Sequence, residues 1–456
     1  MFKYTALCVA LFAPLFAYGA TDDDLRTIRE QIQQLKVSDE QRISQLEQRL
    51  LQAESSIKNG ENTALQAEAA AQQARHPTPS SENSFNPAIS LILSGTYGQL
   101  QQTETAATGF AMSPNNTGFA RGFSLKESEL GISANVDPQF RGVSTFALDP
   151  AGGITVENGF VQTSALGNGI NLKMGRFFSG LGYLNEQHAH AWDFVDQPLV
   201  YRVLWDNQLG EDGMQIKWLA PTDMFVELGG ELGRGLDFPG TNNQKNGSGA
   251  GVLFAHFGGD VGIENNWRAG ISLHETKREN AISAGVPDLP GTAGGVSNSF
   301  SGDSRTTGLD FVWKYSPNGN ISERYLNVQG EYFHRTESGL LTYATAVANV
   351  IDSYAATQCG WYLQGVYKFI PKWRTGLRYD RLDPGVASVG ELNAGNVISN
   401  YTFNPSRISW MTDYNPSEFT RLRLQFVHDN SRQGLSDNQL FLQYIVSMGA
   451  HGAHQY

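Results

Sequence analysis

From Ile89 onward the chain repeats every second residue, and the stretches that do so are separated by connections of two unlike kinds. Leu309, Phe311, Trp313 and Tyr315 share one face of a stretch in which Asp310 and Lys314 take the other. Trp361, Leu363, Tyr367 and Phe369 oppose Tyr362, Gln364 and Lys368, and Leu422, Leu424 and Phe426 oppose Arg421, Arg423 and Gln425. Strict alternation of this kind is the mark of β-strands with one apolar and one polar face. One set of connections is short and turn-like: Asp137-Pro138-Gln139, 165–169, Ala220 to Asp223, Ile370-Pro371-Lys372 and Asn415-Pro416-Ser417. The other set is mostly long and polar, at 101–122, 235–249, 279–303, 338–356 and 384–405.

About sixteen alternating segments can be counted, and short and long connections alternate along them. The expected fold is an all-β transmembrane protein: a 16-stranded antiparallel up-and-down outer-membrane β-barrel over 89–456, with turns at the periplasmic rim and loops outside. Strands are expected at 266–278 and 304–315, and at 324–337 and 357–369. The last strand, 438–456, carries Leu440, Leu442, Tyr444, Val446 and Met448 on one parity and runs to a terminal aromatic, Tyr456. A barrel places only alternate residues in lipid, which reconciles a membrane protein with negative mean hydropathy.

What precedes the barrel reads in three pieces. Residues 1–19 look like a signal peptide, with Lys3, an apolar run from Thr5 to Phe16 and Ala17-Tyr18-Gly19 at the cleavage point. Residues 20–76 read as a periplasmic coiled-coil helix. Leu25, Ile28, Ile32 and Leu35, then Ile43, Leu46, Leu50, Ala53 and Ile57, are spaced as a and d positions with one phase slip. A single amphipathic helix packed on another surface is the alternative. Residues 77–88, with Pro77 and Pro79, form a linker. An even strand number puts both termini in the periplasm of a Gram-negative bacterium, and a/d periodicity suits a homotrimer joined through the coiled coil and the barrel walls, in outer-membrane lipid. Contact of the arm with periplasmic or cell-wall partners is a further expectation. The formal net charge of −12 argues against nucleic acid. The two cysteines are Cys8 and Cys359, and Cys8 would leave with the signal.

The inner faces carry both signs of charge. Lys173, Lys217, Glu227, Glu231, Arg374, Arg378, Arg421 and Arg423 are the expected pore-lining residues, with Glu129, Glu157, Glu331 and Asp380 also inward. Such a wall must be wet or internally paired. A hydrated lumen with a transverse field and a lumen filled by mutual salt bridges are both open at this level. One stretch, Gly175 to Gly213, has no strand alternation although it is rich in aromatics, glycines and acids. It follows the fifth strand, and its apolar residues Leu184, Trp192, Phe194, Leu199, Val200 and Trp205 would be poorly placed in water. An inward constriction loop is expected at about 179–212. Within it Glu186, His188, His190, Asp193 and Asp196 offer imidazole nitrogen and carboxylate oxygen to a divalent metal. The same residues suit a polar pore lining with hydrogen-bonded histidines.

Four stretches carry a resemblance: GRFFSGLGYLNEQHAHAWDFVDQPL (175–199), QLGEDGMQIKWLAPTD (208–223), VELGGELGRG (226–235) and SMGAHGAHQY (447–456). With them the chain resembles proteobacterial outer-membrane proteins labelled zinc-regulated or TonB-dependent receptors, which have an N-terminal coiled coil. Its layout is also similar to that of DcaP-type trimeric porins. The resemblance implies a link to zinc, Zn2+ being ligand or transported ion, with His188 and His190 as the residues carried forward. A plugged receptor barrel needs a plug domain, and residues 20–88 read instead as coiled coil and linker. No G-x-S-x-G elbow occurs, and no enzyme is expected. The function expected is a porin or channel for passive transport of small hydrophilic solutes or ions, linked to zinc uptake by the resemblance. A divalent-metal-binding receptor and an envelope-tethering protein are the alternatives.

Overall fold

Among the described residues, eighteen hydrogen-bonded strands follow one another around a single sheet that closes on itself. The structure is a computed structural model. It describes Gln33 and residues 87–449, except 104–105, 114–117, 126–127, 149–151, 165, 236, 241–245, 283–296, 345–348 and 397–399. The chain divides into two units, Met1–Ser84 and Phe85–Tyr456. The signal, the coiled-coil arm apart from Gln33, the linker as far as 86 and the last residues 450–456 lie outside the described residues.

The strands are β1 (Ala88–Leu100), β2 (Gly122–Leu125), β3 (Ser128–Asn135), β4 (Phe140–Leu148), β5 (Ile154–Thr163) and β6 (Ile170–Phe178). After a non-strand segment come β7 (Gly210–Leu219), β8 (Phe225–Gly233), β9 (Ala250–Val261), β10 (Asn265–Ile282), β11 (Ser297–Tyr315) and β12 (Tyr325–Ala344). The circuit ends with β13 (Asn349–Ile370), β14 (Trp373–Asp383), β15 (Ala387–Val389), β16 (Ser406–Ser417), β17 (Thr420–Arg432) and β18 (Leu435–Gly449). Both β2 and β3 pair with β1 and form one stave, and both β14 and β15 pair with β13 and form another, so the eighteen pieces make sixteen staves. Closure comes from β1 against β18, in register from Ser90↔Gly449 to Leu100↔Gln439. Every pairing is antiparallel, and closure removes the exposed edges an open sheet would leave. The expected 16-stranded barrel is the fold.

The direction in which side chains point identifies the solvent. Outward Leu309, Leu363 and Leu377 are 56%, 53% and 52% exposed, while inward Arg378 and Asp380 are 1% and 0% exposed. A water-soluble protein would reverse this. A contiguous apolar exterior around a charged interior belongs in lipid. Outward aromatics include Tyr367, Trp373, Tyr379, Trp410 and Tyr444, with Trp373 against Tyr414 and Trp410 against Phe426. Among the described residues, no helix is long and apolar enough to cross a membrane. The strands do the crossing.

The expected loops differ from the structure in two places. Instead of long loops at 279–303 and 338–356, β10 continues to Ile282, β11 begins at Ser297, β12 continues to Ala344 and β13 begins at Asn349. A barrel strand needs only ~9–11 residues to span the bilayer, and β13 has 22. These hairpins therefore continue past the apolar band, where polar alternation no longer reports a strand. Phe300 and Leu341, packed with Tyr354 and Val389, supply an apolar cluster that holds the extension together. The alternation of short and long connections is also incomplete, because 149–153 and 433–434 are short and lie at the loop end.

Candidate functional site: the segment inside the barrel

Between β6 and β7 the chain leaves the wall and folds into the interior. Its two ends are clipped together. Ser179 donates its backbone N–H to Leu209 O at 3.0 Å, and the Asn185 amide donates to Ser179 O at 2.8 Å and Leu209 O at 2.9 Å. Leu209 N–H returns a hydrogen bond to Asn185 Oδ1 at 2.8 Å. This fixed neck makes the segment a compact loop packed by its own side chains.

Its centre is a helix, α1 (Leu199–Trp205), with sequence LVYRVLW and every side chain buried. A short helix apolar on nearly all sides must be enclosed. Tyr201 and Trp205 pack edge-on against Phe333, the latter with ring centroids 4.8 Å apart, and Trp205 Nε1 donates to His274 Nδ1 at 3.3 Å. The helix ends where Asp206 adopts a left-handed conformation, φ 50°. On the wall, Gly360 makes room for it: a Cβ there would lie 2.9 Å from Val200 Cγ2.

Charged and polar anchors tie the segment to staves all around the barrel. Glu331 on β12 accepts from Tyr183 N–H (3.0 Å), Leu184 N–H (3.1 Å) and the hydroxyls of Tyr201 (2.8 Å) and Tyr362 (2.7 Å). Asp193 accepts from Arg374 NH1 at 2.6 Å, and Arg374 also pairs with Asp413 at 2.7 Å. Asp196 pairs with Arg378 at 3.1 Å and Arg407 at 2.6 Å and accepts from the Gln425 amide at 2.8 Å. Burial pushes the Asp196 carboxyl up, but Arg378 and Arg407 prevail and hold it well below the ordinary range. Arg421 and Arg423 donate to the carbonyl of Trp192 at 3.3 and 3.0 Å.

The five residues expected as metal ligands do not converge. Glu186 lies against Lys217 Nζ at 3.0 Å, with Lys173 at 4.0 Å; burial opposes its ionisation, yet the two lysines bring its pKa down to about 2. Asp193 and Asp196 belong to the arginine clusters just described. His188 and His190 do come together, their rings stacked with centroids 5.7 Å apart. Their carboxylate partners come from the wall rather than from the segment. His188 Nδ1 lies 3.0 Å from Glu157 Oε2 and 3.3 Å from Glu129 Oε2, and His190 Nδ1 lies 2.7 Å from Glu129 Oε1. Burial alone would lower the pKa of His188, but hydrogen bonds to Glu129 and Glu157 bring it to about 10. Asn158 Nδ2 stands 2.8 Å from His188 Nε2. By turning its amide, Asn158 can accept from imidazolium or donate to neutral imidazole.

The eight expected lining residues all point inward, yet much of their charge is already paired. Lys217 meets Glu186 and, at 3.8 Å, Glu227. Glu231 accepts from Gly180 N–H and the Gln215 amide, and Arg374, Arg421 and Arg423 surround Asp413. Instead of bare basic and acidic walls, the charges fall into local clusters of mixed sign. Arg407 and Asp413 were not anticipated as anchors, although their parity with Ser409 and Met411 on β16 places them inward.

No family model matches the chain. An uncharacterized protein of Aquifex aeolicus (strain VF5) is 29% identical over 412 residues, covering 83% of this chain and 82% of that protein. Similar solved structures include a loop L8 deletion mutant of OmpT, an outer membrane protein of Vibrio cholerae (13% identity, 80% of this chain and 99% of that one, TM-score 0.49). The anion-selective porin of Comamonas acidovorans is 11% identical over 80% of this chain and 99% of its own, with TM-score 0.47. The outer membrane channel DcaP of Acinetobacter baumannii is 12% identical over 80% and 97%, with TM-score 0.45.

Proposed function

We propose that this protein is a passive outer-membrane channel for small hydrophilic solutes or ions, narrowed by the segment between Ser179 and Leu209. One observation carries the reading. A closed barrel with an apolar outer face holds, inside a charged wall, a segment anchored to β3, β5, β7, β8, β12, β14, β16 and β17. A barrel that served only as an anchor would have no need of charged groups on its inner face, because such groups are costly unless wet or paired. Here they position the segment across the lumen, and solutes pass between it and the wall. The periplasmic placement of the termini, the trimer and the coiled-coil arm over 20–76 are parts of the same proposal, supported by the strand count and by a/d periodicity.

The test uses the full chain folded in detergent and inserted into planar bilayers, with liposome swelling by sugars of graded size. Discrete conductance steps and a size cut-off are expected. Absence of conductance from protein that is heat-modifiable on gels, and so folded, overturns the reading.

A further inference from the structure

We propose that Glu129, Glu157 and His188 form a binding site for a divalent transition-metal ion at the place where the inward segment meets the wall. Each residue arrives from a different element: Glu129 from β3, Glu157 from β5 and His188 from the segment. Their ligand atoms all lie within 4.8 Å of one another. Zinc-like ions bind imidazole nitrogen and carboxylate oxygen at ~2.0–2.2 Å in a tetrahedron, whose ligand atoms are then about 3.3–3.6 Å apart. His188 Nδ1 stands 3.3 Å from Glu129 Oε2 and 3.0 Å from Glu157 Oε2, close to that spacing without rearrangement of the backbone.

The surroundings favour a cation. Among the described residues, Glu129 and Glu157 face only histidines, whose ring protons a metal ion can replace, whereas the comparable His256–Glu227 pair on β9 and β8 also has Lys217 Nζ 3.8 Å from Glu227. Glu129 presents its other oxygen to His190 Nδ1, which fixes the carboxylate in the way outer partners orient metal ligands. The side chain of His188 is 23% exposed, while those of Glu129 and Glu157 are 3% and 9% exposed. A site with three protein ligands and one face open to solvent suits an ion that exchanges rather than one locked in place.

The channel reading supplies the purpose of the site: a docking point for divalent cations beside the constriction. The chemistry of the site stands without it. The test is calorimetric titration of the full, detergent-folded, chelator-treated chain with Zn2+, and Co2+ absorption as a readout of ligand geometry. Binding of Zn2+ and visible bands of tetrahedral Co2+ are expected. Glu157→Gln and His188→Ala should each weaken binding at least ~10-fold, because each removes a direct ligand where even outer partners cost that much. Glu186→Gln, in the same segment but held by Lys217, should leave binding unchanged. Glu157→Gln and Glu186→Gln each keep side-chain shape and each remove one charged anchor of the segment, so comparing the two separates ligand loss from undocking. Unchanged affinity in Glu157→Gln, or equal loss in Glu186→Gln, overturns the site. Conductance of the same preparation without metal separates the two readings: conductance without metal binding removes the site alone, and metal binding without conductance removes the channel alone.

Discussion

Asp196→Asn offers the sharpest test of how the segment is held. In the native cluster two guanidinium groups, Arg378 and Arg407, face two carboxylates, Asp196 and Asp380, so the formal charge is 2 − 2 = 0. All four side chains are 2% exposed or less. Asparagine keeps the size of aspartate and can still accept from the Gln425 amide, but it leaves the cluster at 2 − 1 = +1 in a place poor in water. Removing one partner of a buried ion pair costs ~3–5 kcal/mol. At about 1.4 kcal/mol per factor of ten, the ratio of docked to undocked segment should fall by roughly 150- to 4000-fold. The barrel itself should persist, because the strand ladder does not pass through Asp196. Single-channel recordings should then show larger or noisier conductance, and limited proteolysis should cut between 180 and 209. Adding Arg407→Gln returns the cluster to 1 − 1 = 0 and should recover part of the native behaviour. If Asp196→Asn conducts and resists protease as the native chain does, the charged anchors do not hold the segment, and the constriction depends on apolar packing alone.

Trp205→Ala removes the largest side chain of α1 from its contact with Phe333 and should cost the docked segment about 3–5 kcal/mol, read as protease sensitivity inside an otherwise heat-stable barrel. Gly360→Val places methyl groups where Val200 sits and should loosen the same helix by roughly 1–3 kcal/mol, visible as altered conductance with unchanged barrel circular dichroism. Alkaline pH should act through His188, faced by Glu129 and Glu157 and stacked on His190. Its pKa is raised from 6.5 to about 10, so its contribution is complete below about pH 6.5 and is lost as pH rises through about 10. Channel noise should therefore grow as pH rises from about 6.5 to about 10 and should not grow in His188→Ala; a flat native profile would contradict the assignment. Glu186 has the opposite sign: its pKa is lowered from 4.5 to about 2, so its contribution is present above pH 4.5 and is lost as pH falls through about 2. If the proposed trimer is joined in part by the arm, deleting 20–76 should weaken it, read as a lower mass by light scattering, while conductance per barrel persists.

The architecture was legible because a strand's period of two is a local property. Leu309 and Asp310 declare opposite faces whatever surrounds them, and the turns at Asp137 and Ile370 mark where the chain reverses. The same local logic failed at 338–344 and 349–356, where the hairpin runs on past lipid and both of its faces are mixed. It also marked 179–212 as unlike a strand and as too apolar for water. What it could not supply was partners. Asp196 and Asp193 stand beside His190 in sequence and looked like its companions. In the folded chain they face Arg378, Arg407 and Arg374, residues some 180 or more positions away. His188 instead meets Glu129 and Glu157, which lie on strands that precede it. Side-chain periodicity and turn chemistry depend on neighbours in the chain, so the sequence alone determined a barrel with a charged interior and one segment that had to go inside it. Which charges neutralise one another depends on where closure of the sheet brings distant staves around that segment, and only the tertiary structure decided it.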